Sequence, residues 1–133
     1  MTLGVRGLIL DREKNAVFLI RHTYVPGWQL PGGGVETGET MEEALRRELH
    51  EEGNIELLSS PRLLSIHHNT SASRRDHVGV YLITDYRQTS PKQPDREVAE
   101  TGFFPIDQLP EGITPGTARR IAEATGAAVS PNW

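Results

Sequence analysis

The sequence predicts a single α+β domain, an α/β protein in the broad sense, with short strands and one helix in each half of the chain. The chain has 133 residues, 36% of them hydrophobic, which suffices for one core without disulfides or a structural metal. Apolar runs rich in β-branched residues alternate with polar turns, as strands do. One segment of good helix formers lacks Gly and Pro, and a second opens with Thr followed by Pro.

In the N-terminal half, the apolar runs at 5–10 and 16–20 flank a polar turn and predict a hairpin or a close antiparallel pair. Residues 28–30 predict a short third strand, which ends at the glycine-rich segment 31–34. Its three consecutive glycines allow positive φ and a close approach of the backbone to a ligand. A run of good helix formers predicts the first helix at 40–52.

In the C-terminal half, residues 63–68 and 78–86 predict two longer strands joined by a polar stretch. Two prolines make residues 87–96 a predicted loop, and a short apolar strand is expected at 102–106. A second helix is predicted at 114–125, because Thr and Pro at its start suit the N-cap and the first helical position. The last residues of the chain, through Trp133, are expected to be poorly held.

Composition excludes several classes of protein. With no cysteine, the chain has no disulfide scaffold, thiolate zinc site or cysteine nucleophile, and it is compatible with the reducing cytoplasm, where we expect it. No apolar stretch approaches the length of a membrane span, so we expect no membrane association. A net charge of −4 argues against an extended nucleic-acid-binding surface.

The acidic residues are concentrated in one segment. Residues 33–55 hold seven glutamates and two arginines, whereas the rest of the chain is nearly balanced in charge. A binding site for something cationic is therefore expected in this segment.

Three of these glutamates, Glu48, Glu51 and Glu52, share one face of the predicted first helix. They lie in or beside the apolar arc that should face the core. Like charges at this spacing repel, and acids at a helix C-terminus oppose the helix dipole. A bound cation would offset both effects. Oxygen ligands without His or Cys favour Mg²⁺, or Mn²⁺, over zinc and copper.

The same segment resembles the Nudix box of the Nudix hydrolases. Gly33, Glu39 and residues 47–55 occupy the positions of that motif, and every charged position is present. The one departure is Asn54, where the family pattern has Gly. Asn is the next-best residue for a left-handed helix cap, so we expect an altered turn without loss of chemistry.

The resemblance implies a Nudix fold, a mixed β-sheet sandwiched between helices. It also implies Mg²⁺-dependent hydrolysis of a phosphoanhydride bond in a nucleoside diphosphate linked to another group, such as a nucleoside triphosphate, a nucleotide sugar or ADP-ribose. Removal of pyrophosphate from an RNA 5′ end stays open as well, and so does the oligomeric state. The alternative is a Nudix domain that binds or senses a nucleotide without turnover.

The resemblance further implies a role for each motif residue. The metal ligands would be Glu48, Glu51, Glu52 and the backbone carbonyl of Gly32. Arg47 would orient a ligating carboxylate. Glu39 would help to position metal or water, although capping of the helix explains it equally well.

The general base is assigned to one of four glutamates. Glu51 and Glu52 are the candidates within the box. Outside the box, Nudix proteins often draw a glutamate from the region that here holds Glu97 and Glu100, and we favour Glu97 because it lies nearer the centre of a loop.

Candidate substrate-binding residues lie outside the box. Arg74 and Arg75 belong to the most polar loop and suit phosphate or ribose, although an exposed turn would look the same. Tyr24, in a loop, is a candidate for stacking on a base. Arg21 and Arg6, on predicted strands, either line the pocket or face solvent.

Overall fold

Residues 3–133, the part of the chain described by this computed structural model, form nine strands, two α-helices and one turn of 3₁₀ helix. The strands are β1 (Leu3–Asp11), β2 (Ala16–His22), β3 (Trp28–Gln29), β4 (Gly32–Gly34), β5 (Ile55–Leu57), β6 (Arg62–His68), β7 (His77–Ile83), β8 (Tyr86–Gln88) and β9 (Val98–Pro105). The helices are α1 (Met41–Gly53) and α2 (Pro115–Ala124), and the 3₁₀ turn is Ile106–Gln108.

The main sheet is mixed. Its strand order is β3-β2-β1-β7-β6, with β4 paired to β1 and β9 paired to β2. β1 and β2 form the predicted antiparallel hairpin, whereas β1 and β7 run parallel. A second, two-stranded antiparallel sheet joins β5 and β8.

Helix α1 covers one face of the sheet. Thr40 and Glu43 form a capping box at its start, and Asn54 ends it in the left-handed conformation with φ 55°. The predicted helix and the predicted use of Asn54 as a left-handed cap are therefore confirmed. The apolar stripe of α1 packs on buried side chains of β1 and β2; the residues of this core are Val5, Ile9, Phe18, Ile20, Ala44, Leu45, Leu49, Ile55, Leu57 and Ile83.

Helix α2 covers the opposite face. The Thr114 hydroxyl accepts a hydrogen bond from the backbone N–H of Thr117, and Pro115 occupies the first turn, as the sequence predicts. Ile121 packs on a second core that consists of Leu8, Val17, Leu19, Trp28, Leu30 and Val80. The sheet thus lies between two helices, which confirms the predicted fold class. Neither helix within residues 3–133 is long and apolar enough to cross a membrane.

Three segments differ from their predictions. The strand expected at 78–86 ends at Ile83, and the chain turns before Tyr86 begins β8. The strand expected at 102–106 already begins at Val98, because its register along β2 is nearly continuous. The glycine-rich segment is a short strand, since Gly34 pairs with Gly4 of β1.

The expectation that the last residues are poorly held is wrong. The backbone N–H of Trp133 donates to the carbonyl of His68 at 2.9 Å, so this segment lies along the edge strand β6. Arg119 and Arg120 both donate to the carbonyl of Trp133. Its indole packs where Gly116 of α2 leaves room for the ring. Apolar burial and charged donors together hold the segment in place.

Candidate active site

Two glycines of β4 bring the backbone against the carboxylates of α1. Gly32 has φ +148°, and a Cβ at this position would lie 2.0 Å from the carbonyl oxygen of Val5. Its N–H donates to Glu52 Oε1 at 2.7 Å. A Cβ on Gly33 would lie 2.6 Å from Glu48 Oε1. Any larger residue at either position would displace the backbone or a carboxylate.

Glu48 and Glu52 are both largely removed from water. Glu52 is 5% exposed. Burial, reinforced by the charge of Glu48, raises the pKa of Glu52 to about 8 against the opposing effects of the Gly32 N–H and Arg6. Burial likewise raises the pKa of Glu48, although its hydrogen bond with Arg47 works in the opposite direction. Two desolvated carboxylates side by side form a site that a cation would stabilise.

The third glutamate of this face is placed differently. The side chain of Glu51 is 56% exposed, and its Oε2 lies 3.9 Å from Nη1 of Arg47. Within residues 3–133, no three His, Cys, Asp or Glu side chains gather at metal-binding distance. Glu48 and Glu52 fit a hard divalent ion, because both are oxygen donors and both are desolvated. Glu51 is more exposed and lies near the same nitrogen of Arg47 as Glu48.

Arg47 connects the start of the acidic segment to the helix. Its Nε and Nη2 donate to the two oxygens of Glu39 at 2.8 and 2.9 Å, and its Nη1 donates to Glu48 Oε1 at 2.9 Å. The Arg47 hydrogen bond holds the pKa of Glu39 down at about 2. Because Thr40 and Glu43 supply the cap of α1, the capping explanation of Glu39 is not needed. The bidentate contact with Glu39 thus fixes the guanidinium, which donates one hydrogen bond to Glu48.

A histidine that the sequence did not single out lies beside Glu52. His22 Nε2 is 3.7 Å from Glu52 Oε2, and burial lowers the pKa of His22. It shares the α1 face with Ile20, two residues earlier on β2, and this alternation is the signal that could have found it. Tyr24, 67% exposed, has its ring 5.1 Å from that of His22.

The two glutamates outside the box lie in different surroundings. The carbonyl of Glu97 accepts a hydrogen bond from the N–H of Thr23, so its loop lies beside Tyr24. Its charge contributes to the raised pKa of Glu52, behind the larger effect of burial. Glu100 instead forms a 3.0 Å ion pair with Arg21, whose guanidinium lies over the ring of Trp28. Arg21 precedes His22 on β2, so the two side chains point to opposite faces.

A groove passes from the β4 glycines over Arg6. One part, a cavity of about 300 Å³, is lined by residues that include Gly33, Arg6 and Asp76, and a second part continues over Arg6 to Trp133. Arg6 Nη1 donates to the carbonyl of Leu30 at 2.8 Å. The sequence does not distinguish Arg6 from Arg21 as a residue that lines the pocket. The structure places Arg6 in the groove.

The polar loop between β6 and β7 borders this groove, but its arginines stay outside the lining. Arg74 and Arg75 are exposed, and the carbonyl of Arg74 accepts a hydrogen bond from His68 Nε2. The sequence predicts that this loop contacts substrate, but the arginines selected from it do not line the cavity; its lining members are Asn69, Ala72 and Asp76.

Comparison with known proteins gives the family and its relatives by sequence. The model of the NUDIX domain matches residues 1–124. An RNA pyrophosphohydrolase of Legionella pneumophila (strain Corby) is 43% identical over 61 residues, which are 42% of this chain and 35% of the relative. That of Xanthomonas campestris pv. campestris (strain B100) is 50% identical over 46 residues, 35% of this chain and 22% of the relative. The chain thus spans about a third or less of these curated relatives.

Solved structures resemble the chain over most of its length. The MutT NUDIX hydrolase from Burkholderia pseudomallei has a TM-score of 0.77 at 27% identity, with 91% of this chain and 95% of that one covered. An ADP-ribose pyrophosphatase from Streptococcus suis has a TM-score of 0.69 at 22% identity, with 94% and 92% covered. The second likeness shows the shared fold alone.

Proposed function

The chain belongs to the NUDIX family, and on that premise we propose that it is a metal-dependent pyrophosphohydrolase cleaving a phosphoanhydride bond in a nucleoside diphosphate linked to another group. One observation carries this proposal. Glu48 and Glu52 are desolvated side by side against the β4 glycines, with Arg47 fixing the first and the Gly32 N–H fixing the second. The names of the relatives, which are pyrophosphohydrolases and related hydrolases, agree with it.

The metal would be Mg²⁺, with Mn²⁺ as the alternative. Its ligands would be Glu48 and Glu52, joined by Glu51 and the carbonyl of Gly32. Bound there, a divalent ion would supply neutralisation of phosphate charge and acidification of a water molecule. The chain itself supplies positive charge from Arg6 in the groove, while Arg47 keeps the carboxylate of Glu48 in place.

Glu97 is the proposed general base. Its carboxylate is exposed, and among residues 3–133 no hydrogen bond or ion pair engages it. It lies on a loop that borders Tyr24 and can approach a bound substrate. Glu51 and Glu52 stay the alternatives within the box.

Substrate contacts are proposed for the groove and its borders. Arg6 would meet phosphate oxygens, because it lies between the β4 glycines and Trp133. Tyr24, exposed beside Glu97, would contact the substrate near the metal. Arg74 and Arg75 would act from the rim, and the ion pair of Arg21 with Glu100 makes Arg21 the weakest of the candidates.

A panel of substrates tests the activity. Nucleoside triphosphates, nucleotide sugars, ADP-ribose and 5′-triphosphorylated RNA are incubated with the full chain, with and without Mg²⁺, and phosphate or pyrophosphate release is measured. We expect turnover of at least one compound, and only with the metal. Calorimetric nucleotide binding without any turnover would instead establish a binding or sensing module. The complete set of charged box residues favours the enzyme.

The base assignment predicts unequal effects at two neighbouring glutamates. Glu97→Gln should lower kcat by at least about a hundredfold at saturating Mg²⁺, because a proton acceptor is lost. Glu100→Gln, the matched control, should change kcat less than about threefold, since it removes an exposed ion pair. If both variants keep the wild-type kcat, the base lies within the box.

A further inference from the structure

We infer that Asp76 selects the base of the substrate by accepting hydrogen bonds from a guanine-type edge, which presents two neighbouring N–H donors. The inference rests on the proposed function, because it assigns the groove beside Glu48 to a nucleotide. Asp76 ends the loop between β6 and β7, directly before β7 begins.

Asp76 is a buried carboxylate in the wall of an open groove. It is 6% exposed, yet it lines the cavity together with Arg6 and Gly33. Its Oδ2 accepts a hydrogen bond from Asn69 Nδ2 at 3.3 Å, and no other group among residues 3–133 donates to the carboxylate. Its Oδ1 is not a buried atom without a partner, so this oxygen is open to the groove and can accept further hydrogen bonds. A ligand that brings N–H groups into the groove would satisfy it.

Part of the floor of the groove beside Asp76 lacks side chains. Gly34, Gly4 and Val78 lie side by side on three neighbouring strands, and all three line the cavity. Two of the three have no side chain, so a planar ring can lie directly on their peptide groups. A ring in this position lies in the same cavity as Asp76.

The charges of the groove set the direction of the nucleotide. The carboxylate of Asp76 repels phosphates, whereas Arg6 attracts them. Gly33, which also lines the cavity, lies against Glu48 on its other side. A nucleotide with its base at Asp76 therefore extends its phosphates toward Arg6 and the proposed metal ligands.

The chemistry of a carboxylate decides which base fits. An ionised Asp only accepts hydrogen bonds. Guanine offers a ring N–H and an amino N–H side by side, so both can reach the carboxylate. Hypoxanthine lacks the amino group, and xanthine carries a carbonyl there, whose lone pairs would face the carboxylate. The expected order of affinity is guanine, then hypoxanthine, then xanthine.

Binding of the 5′-monophosphates of guanosine, inosine and xanthosine to the full chain, measured by calorimetry with Mg²⁺, tests the inference. We expect the wild type to bind GMP at least about tenfold more tightly than IMP, the size of effect that a good bidentate contact gives. Asp76→Asn exchanges one acceptor for an N–H donor and should bind XMP in preference to GMP. Asp107→Asn, the same change at an exposed position on the 3₁₀ turn, should leave the order unchanged.

Equal affinity of the wild type for the three nucleotides overturns the inference, and this measurement does not depend on the folding of any variant. Retention of the GMP preference by a folded D76N protein overturns it as well, because a purely structural Asp76 would weaken all three nucleotides alike. Turnover without any base preference would contradict the inferred role of Asp76 but not the proposed pyrophosphohydrolase activity. A preference for guanine without turnover would contradict the proposed activity but not the inferred role of Asp76.

Discussion

Replacing Glu52 by Gln is expected to lower kcat/KM by at least about a hundredfold and, without metal, to make the folded protein more stable at alkaline pH. The glutamine side chain still has an oxygen that can accept the hydrogen bond from the Gly32 N–H. It lacks the negative charge that the proposed metal site needs. The loss of activity and the gain in stability have the same cause, because the ionised Glu52 is unfavourable in the buried site until a cation is bound.

The pH dependence follows from the pKa of Glu52, which burial raises from 4.5 to about 8 in the folded protein. Below pH 4.5 the residue is protonated in both states and has no effect on stability. As the pH rises toward 8, the unfolded chain releases its proton first, so stability is lost. Above pH 8 the loss reaches on the order of 4 kcal/mol. Gln does not titrate, so the variant avoids this loss.

Urea unfolding with a chelator at pH 4.5 and pH 9 measures the difference. The E52Q protein should match the wild type at pH 4.5 and exceed it at pH 9. Glu51→Gln is the control, since it removes the same charge one position earlier from a side chain that is 56% exposed. Near-normal turnover of E52Q, or unfolding of the variant, would contradict the proposed role of Glu52.

Divalent metal is expected to raise the melting temperature on the order of 10 °C at a concentration of about 100 times Kd. The ion binds only the folded state, where it neutralises Glu48 and Glu52. Calorimetric melting with Mg²⁺ or Mn²⁺ at pH 8 measures the rise. Simultaneous substitution of Glu48, Glu51 and Glu52 by Gln should abolish it.

A control variant separates the site from general charge effects. Substitution of Glu13, Glu56 and Glu111 by Gln removes the same number of charges from exposed positions. That variant should keep the full rise in melting temperature. A rise that survives in the box variant would place the ion elsewhere.

Local features of the site were predictable because they depend on residues close in sequence. The helical spacing of Glu48 and Glu52 placed both on the side of α1 that faces the sheet, where Glu52 is buried and Glu48 is half-buried. Asn54 was expected to take the left-handed cap, and it does. Periodicity could not show that the side chain of Glu51 is far more exposed than those of Glu48 and Glu52, since exposure depends on packing and rotamer.

Features that depend on distant residues were not predictable. Asp76 and Arg6 meet in one groove only because β7 lies parallel to β1, and no local pattern encodes that pairing. The same holds for Trp133, whose position depends on Gly116 and on the carbonyl of His68. A single sequence gives propensities along the chain, whereas these contacts arise from packing across it.

The parallel pairing of β1 with β7 also determines how the chain can fold. β1 lies at the centre of the sheet, yet its parallel partner follows about 70 residues later, and β9 joins β2 after a similar interval. Closing such long loops precedes the contacts that stabilise them, which slows folding. During synthesis, this apolar edge of β1 therefore has no partner strand until β7 has left the ribosome. A nascent chain released before that point would expose the edge to solvent, which favours aggregation.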